Sequence, residues 1–241
     1  MGTLRESLAE VNRRVRNAEL KAGRKPGSVK LLAVSKTKPA ADLALAYRCG
    51  QRHFAESYLQ EAIDKQGLLV NYDITWHFIG PIQSNKTKSI AARFAWIHSV
   101  DRLKIAQRLN EQRPSHLPPL NVCLQVNISG ETTKSGVSLE ELPGLAIDVA
   151  ILPRLDLRGV MAIPARSERY QEQRIPYRLL REAVEALNVL CFDTYSFGMS
   201  EDLEAAVAEG ATMVRVGTAI FGSRTYKTND AALISLGQRN R

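Results

Sequence analysis

No apolar run in this 241-residue chain approaches the roughly 18 to 20 residues a helix needs to span a bilayer, and the N-terminus lacks the apolar core of a secretory signal. Gly2 is followed by Glu6 where a myristoylation signal requires Ser or Thr. Glu6 and Glu10 argue against a transit peptide, although Leu4, Leu8, Val11 and Val15 share one face of an arginine-rich first segment. A cytoplasmic address follows by exclusion. Only three cysteines occur, Cys49, Cys123 and Cys191, with no C-x-x-C pair. That spacing argues against zinc and dithiol chemistry and leaves three reduced, partly buried thiols. The formal net charge is +8, yet the basic residues are scattered and no stripe of them is interleaved with aromatics. Neither nucleic acid nor an acidic membrane surface is therefore an expected partner, and the excess charge reads as a solvated surface. No low-complexity linker divides the chain, so a single domain is expected over 1–241, with an N-terminal helix in 1–22 and a tail over 225–241.

What is present is alternation. Short β-rich runs at Val29–Ser35, Arg52–Ala55, Thr75–Ile79, Ala95–Ser99, Leu120–Asn127, Asp156–Ala162, Thr194–Phe197 and Thr212–Val216 are separated by helical patterns. The helices are predicted over Pro39–Cys49, Glu56–Gly67, Ser84–Ala92, Arg102–Gln112, Leu139–Ile151, Arg174–Leu190 and Glu201–Glu209. Eight strands with seven intervening helices predict an α/β fold, a single (β/α)8 TIM barrel entered through an extra N-terminal helix; a doubly wound open sheet is the rival. Thr3 with Glu6 and Ser138 with Glu141 form capping boxes, and Gly210 reads as a helix stop.

Period-2 alternation puts Leu32, Val34 and Lys36 on one strand face, so Lys36 projects toward the axis at the C-terminal rim, where barrels of this kind build their active sites. An amine there can form a Schiff base, and Lys38 would be the nearby cation that eases its deprotonation; the alternative is a pair of rim lysines. Strand seven runs into Met199-Ser200, with Ser200 as N-cap of the next helix, and strand eight ends in Arg215-Val216-Gly217-Thr218. Gly217 would permit close backbone approach and Thr218 offer a hydroxyl, so the two loops suit an anion. Arg215 points inward with Met213, either to a ligand or to a carboxylate partner. Asn85 is a candidate donor to a phenolic oxygen. His77 reads as a core histidine, and Lys134 as a second mouth amine or a solvated loop residue. An amine, an anion cradle and an arginine in these places make a pyridoxal phosphate (PLP) site the simplest reading.

The assembled motifs closely resemble the pyridoxal phosphate homeostasis proteins, relatives of the alanine racemase N-terminal barrel domain, from about Val29 to Arg224. The carriers of the resemblance are A-V-S-K-T-K-P around Lys36, H-F-I-G-P-I-Q-S-N-K around Asn85, Q-V-N-I-S and T-K-S-G near Lys134, R-G-V-M-A-I-P around Met161, F-G-M-S-E-D-L and V-R-V-G-T-A-I-F-G. The resemblance implies PLP held covalently by Lys36 as an internal aldimine. It also implies a phosphate cradled by Ser200, Gly217, Thr218 and the amide of Met199, and Arg215 facing the ring nitrogen. Relatives usually carry F-G-E-N where this chain has Phe54-Ala55-Glu56-Ser57; the Ser57 side chain is shorter than asparagine and loses its two-ended amide, so the cofactor contact there and PLP binding are expected to be weaker, while Phe197, in place of a usual methionine, is expected to repack the wall. Racemases of this fold add a β-rich second domain and a partner tyrosine. With the chain ending about 20 residues after the eighth strand, the resemblance implies a monomeric PLP carrier and homeostasis protein, supplying apo PLP-dependent enzymes, without catalytic activity of its own. The alternative is a PLP-dependent amino-acid racemase of low activity.

Overall fold

The computed structural model describes residues 3–131, 133–187 and 192–223. Cys191, the last residues of the helix predicted to Leu190 and the 225–241 tail lie outside them. In chain order the elements are α1 (Leu4–Lys21), β1 (Lys30–Val34), α2 (Ala40–Arg48), β2 (His53–Glu56), α3 (Leu59–Leu68) and β3 (Thr75–Phe78). A 3-10 turn (Ser84–Lys86), α4 (Thr87–Arg93), β4 (Trp96–Val100), α5 (Leu103–Gln112), β5 (Leu120–Val126) and α6 (Leu142–Ala150) follow. The chain continues through β6 (Leu155–Ala162), α7 (Tyr170–Glu185), β7 (Thr194–Ser196), α8 (Leu203–Ala208), β8 (Met213–Val216) and α9 (Thr218–Phe221).

All eight strands are parallel in sequence order, and β8 closes the ring on β1, pairing Val214 with Leu31 and Arg215 with Leu32. Closure decides for the barrel over the open sheet. Alternation along each strand then makes two apolar layers. Leu31, Ala33, Phe54, Ile97, Val214 and Val216 face outward beneath the helices, while Leu32, Ala55, Trp96, Cys123, Met161 and Met213 fill the axis. Each fully buried leucine or phenylalanine contributes about 1.5 to 3 kcal/mol. Both described cysteines are free; Cys123 is buried, its thiol pKa pushed up by burial, and Cys49 is half-buried.

The N-terminal helix begins at the capping box expected of it, Thr3 Oγ1 accepting from the Glu6 amide and Glu6 from the Thr3 amide. It packs on α8 and α9, and two contacts aim it at the functional end. Arg14 donates to Glu204 at 2.8 Å and to the Ser200 carbonyl at 3.0 Å. Buried Glu19 accepts from the amides of Gly27 and Val29, fixing the approach to β1.

Several predicted boundaries shift for physical reasons. Glu56 belongs to β2 rather than to α3, because its carboxylate is drawn into a buried network by Ser35 and Lys65. The Ser138/Glu141 box closes as read, but around a turn that precedes α6. Helix α7 starts earlier than predicted and carries Pro176 inside it, the apolar stripe of Tyr177, Leu180 and Val184 outweighing one missing backbone donor. Helix α9, four residues long, is too short for any periodic signal and was not predicted.

Candidate ligand-binding site

A cavity of about 440 Å³ opens at the C-terminal ends of the strands. Lys36 reaches it from the turn after β1, half-buried, beside Val34. The next residue, Thr37, has φ of 66°, a left-handed conformation that is uncommon for a β-branched residue and costs on the order of 1 to 3 kcal/mol. Its amide donates to Glu61 Oε1 at 2.5 Å, which helps to hold the turn in place. Behind it, the Lys65 ammonium donates to Glu61 Oε1 at 2.6 Å, Glu56 Oε1 at 2.7 Å and the Ser35 carbonyl at 2.7 Å, and the Ser35 hydroxyl donates to Glu56 Oε1 at 2.6 Å. Burial raises the Glu56 carboxyl pKa, with Lys65 and Ser35 opposing the rise. The backbone carrying Lys36 is thus clamped by an ion network buried under β1 and β2.

Arg215 forms the floor of the cavity from β8 and is 3% exposed. Its Nη1 donates to the carbonyl of Ser196 and, at 2.9 Å, to Ser196 Oγ; its Nη2 donates to the Ala162 carbonyl at 2.9 Å. These partners are neutral, and among the described residues no ion pair with a carboxylate is formed. Burial pulls the guanidinium pKa down. The carboxylate-paired alternative for Arg215 is therefore overturned, and a buried positive charge faces the cavity without a protein counter-ion in contact.

Past the end of β8 the lining is backbone and hydroxyl. Gly217 stands so close to β1 that a Cβ there would meet the Val34 carbonyl at 3.1 Å and Val34 Cβ at 3.3 Å, so a side chain would have to push β1 back by a few tenths of an ångström. Thr218 and Ala219 follow in the first turn of α9, where N–H groups lack intrahelical acceptors. Ser200 also lines the cavity, but as a turn residue rather than the expected N-cap: α8 starts at Leu203 after Asp202. The Asp202 carboxylate turns back to accept from the Met199 amide at 2.6 Å and from the Tyr177 hydroxyl at 2.7 Å. The amide of Met199 is thereby engaged within its own loop, against the expectation that it stands free for an anion.

Seven of the eight expected site residues line this one cavity: Lys36, Ser57, Met199, Ser200, Arg215, Gly217 and Thr218. Asn85 does not; it is exposed on the 3-10 turn, outside the lining of the cavity. Lys38 is turned away, its ammonium donating to the carbonyls of Phe221 and Ser223 at 2.9 Å each, which tethers the end of α9. Lys134 pairs with Glu131 at 2.6 Å and lines a smaller cavity of about 240 Å³ that shares Ile79 and Ile163 with the first. Phe197 packs away from the site, stacked on Tyr177 with ring centroids 5.0 Å apart. His77 is fully buried, as read. Sequence reasoning missed the β6–α7 loop and the start of α7, which bring Arg166 and Ser167, and Gln173, to the rim; the R-G-V-M-A-I-P run that leads into the loop was the available signal.

Comparison with known proteins gives this arrangement its relatives. Residues 7–225 match the family described as alanine racemase, N-terminal domain. The chain is 59% identical over 226 residues to the pyridoxal phosphate homeostasis protein of Pseudomonas aeruginosa, covering 94% of this chain and 98% of that one. The chain belongs to the pyridoxal phosphate homeostasis protein family. Among solved structures of the family, PipY of Synechococcus elongatus with PLP bound superposes with a TM-score of 0.79 at 36% identity, covering 91% of this chain and all of that one. Alanine racemase from Corynebacterium glutamicum shares the fold alone, at 18% identity and a TM-score of 0.68, and this chain covers 61% of it. Within the homeostasis family frame, the lysine after β1 and the arginine on β8 occupy one cavity of a closed barrel.

Proposed function

We propose that this chain binds pyridoxal 5′-phosphate in the 440 Å³ cavity and acts as a carrier that sequesters the cofactor and supplies it to apo PLP-dependent enzymes. The observation that carries this reading is the pairing, in one cavity, of the Lys36 amine with a buried Arg215 charge that has only neutral partners in contact. The residues fit the group. The cavity lies within the usual few-hundred to about 1,000 Å³ of small-molecule sites. Ser200, Thr218 and the close-packed backbone at Gly217 suit a phosphate, Ser57 lines the same cavity as the amine, and Arg215 suits an electron-rich ring atom. When bound, PLP supplies an aldehyde that condenses with the Lys36 amine to a Schiff base, releasing water. A guanidinium keeps its protons, so Arg215 would leave the ring a weaker electron sink than an acid would.

A carrier is favoured over an enzyme by the state of the acids at the rim. Asp202 is committed to Met199 and Tyr177, and Glu201 faces Arg166 at 3.8 Å. Catalysis at an amino-acid α-carbon needs a base aimed at it. The close relatives are named for homeostasis rather than for a reaction. The protein is proposed to work as a cytoplasmic monomer; among the described residues no helix is long and apolar enough to cross a membrane. The test is an absorbance spectrum of protein incubated with PLP, followed by borohydride reduction and peptide mapping. A protonated-imine band with the adduct on Lys36 is expected, and its absence overturns the reading. Exchange of an α-hydrogen of an L-amino acid in deuterated water would instead establish the racemase alternative.

A further inference from the structure

The barrel interior holds a polar feature that cofactor binding does not explain. Three of the four histidines of the chain stand on adjacent strands, His53 on β2, His77 on β3 and His98 on β4, and they touch in series. His53 Nδ1 lies 3.0 Å from His77 Nε2, His77 Nδ1 lies 2.9 Å from His98 Nε2, and His98 Nδ1 lies 2.8 Å from Ser196 Oγ. Ser196 Oγ in turn accepts from Arg215 at the cavity floor. His77 and His98 are fully buried, whereas His53 is half-buried at the first residue of β2, the end of the barrel away from the cavity.

We propose that His98, His77 and His53 are positioning residues for Arg215: one chain of neutral imidazoles with a single common proton order, which couples the far mouth of the barrel to the cavity floor through Ser196. Neutrality follows from the surroundings. Burial drives all three pKa values down, His98 to about 3 and His53 to about 4, with Arg215 and Lys30 as further cations facing the two ends. Trp96 stacks on His77 at 5.7 Å, and Arg158 lies over the Trp96 ring at 5.2 Å. Cys123, the remaining titratable group in this part of the axis, is held as a thiol by burial.

A neutral imidazole carries one N–H, and each of the two ring-to-ring contacts needs one proton, neither two nor none. If His98 is protonated on Nε2 it donates to His77 Nδ1; His77 must then carry its proton on Nε2 and donate to His53 Nδ1, and His53 carries its own on Nε2. The reverse assignment puts all three protons on Nδ1. Mixed orders leave one contact with two protons or none, inside a site where an unmade hydrogen bond is costly. The order fixes Ser196. In the first, its hydroxyl donates to His98; in the second, it accepts from both His98 and Arg215, and its proton is released for another acceptor. Protonating His53 forces the second order along the whole chain, since both its nitrogens then donate.

The tautomer order rests on geometry alone, while its effect on the ligand rests on the PLP reading above, and the experiment separates them. Long-range ¹⁵N–¹H spectra of histidine-labelled protein without PLP at neutral pH are expected to show three neutral rings of one tautomer; a mixed set, or a cationic ring among them, overturns the chain. His98→Leu is expected to weaken PLP binding about tenfold, as loss of a hydrogen bond supporting a charged group implies, and to move the absorbance band of the bound cofactor. His98→Gln, which keeps a partner for Ser196, is expected to recover most of that affinity; equal Kd values for both variants and wild type would reduce the chain to a structural filler and overturn the positioning role. Should His98→Leu not fold, His53→Gln at the half-buried end serves: the two remaining rings must agree in tautomer, and disagreement overturns the proposal. Failure of wild type to bind PLP would sink the cofactor reading while leaving the tautomer result to stand or fall by itself.

Discussion

The two sides of the cavity are supported in opposite ways. Under Lys36 the support is ionic: Lys65 stands among Glu56, Glu61 and the Ser35 carbonyl, so buried charges cancel within the protein. Under Arg215 the support is neutral: two carbonyls, one hydroxyl and a string of uncharged imidazoles. The first network spends its charge on holding a strained backbone turn, Thr37 at φ 66°, and so fixes where the amine emerges. The second leaves a guanidinium charge uncancelled at the floor, where a ligand can meet it. On the proposed reading, location of a covalent handle and attraction of an electron-rich ligand fall to different strands.

The largest expected effect comes from removing the handle itself. Lys36→Ala should abolish the borohydride-stable adduct while leaving the melting temperature close to wild type, because Lys36 sits on a half-buried turn outside both apolar clusters. Peptide mapping checks it; an undiminished adduct at another lysine, Lys134 included, would detach the site from β1.

The two supports should then fail differently when their cations are neutralised. Lys65→Met leaves the Glu56 carboxylate buried without its ammonium, and breaking a buried pair in this way costs about 3 to 5 kcal/mol. Arg215→Met removes a buried charge that has no ion-pair partner to strand, so stability should be unchanged or higher while PLP affinity falls about 10- to 100-fold. Urea midpoints and cofactor titrations read both quantities. If Arg215→Met proves the more destabilising of the two, the charge at the floor is structural and the contrast collapses.

Acid pH should separate the supports without mutation. His98 and His53 are held down to about 3 and about 4 when folded, against about 6.5 for a solvated imidazole. Their contribution to stability is therefore complete above about pH 6.5 and is lost as pH falls through those folded values. Glu56 has the opposite sign: its folded pKa is raised, so its contribution is present below the ordinary carboxylate range and declines as pH rises. The fully buried His98 adds a slope of about 1.4 kcal/mol per pH unit over its window, and half-buried His53, screened by solvent, adds less. Urea denaturation between pH 6.5 and 4 should show that slope in wild type and less of it in His98→Leu.

How much of this was legible beforehand depends on the range of the signal. Strand alternation correctly aimed Leu32, Met213 and Arg215 at the axis, since side-chain direction within a strand is a local property. Ring closure was expected from the count of βα units, but the pairing of β8 with β1 had to be observed. Lys36, Gly217 and Thr218 fell where strand ends place them. Asn85 and Lys38 fall outside the cavity lining because a residue a few positions beyond a strand can turn to either side, as the 3-10 turn and the end of α9 turn these two. Ser200 is not the N-cap because α8 begins only at Leu203, with Asp202 in the cap position and its carboxylate turned back to the Met199 amide, an arrangement no spacing rule encodes. The histidine string was invisible for a plainer reason: His53, His77 and His98 lie 21 to 24 residues apart, and only the barrel register makes them neighbours.

The smallest effect tests the amine side at Ser57, where the chain departs from the family resemblance. Ser57 lines the cavity directly after Glu56, the residue that ends β2 and carries the buried carboxylate. A serine offers one donor on a short stem, whereas asparagine offers a carbonyl and two N–H donors on a longer one. Ser57→Asn should therefore tighten PLP binding by a few-fold, the worth of roughly one net hydrogen bond of about 1 kcal/mol, without disturbing the ion network, which engages Glu56 through its own side chain. Titration of wild type and variant at equal ionic strength measures it. Unchanged affinity would mean that the Lys36 side supplies only the covalent link, and that discrimination rests wholly on the Arg215 side.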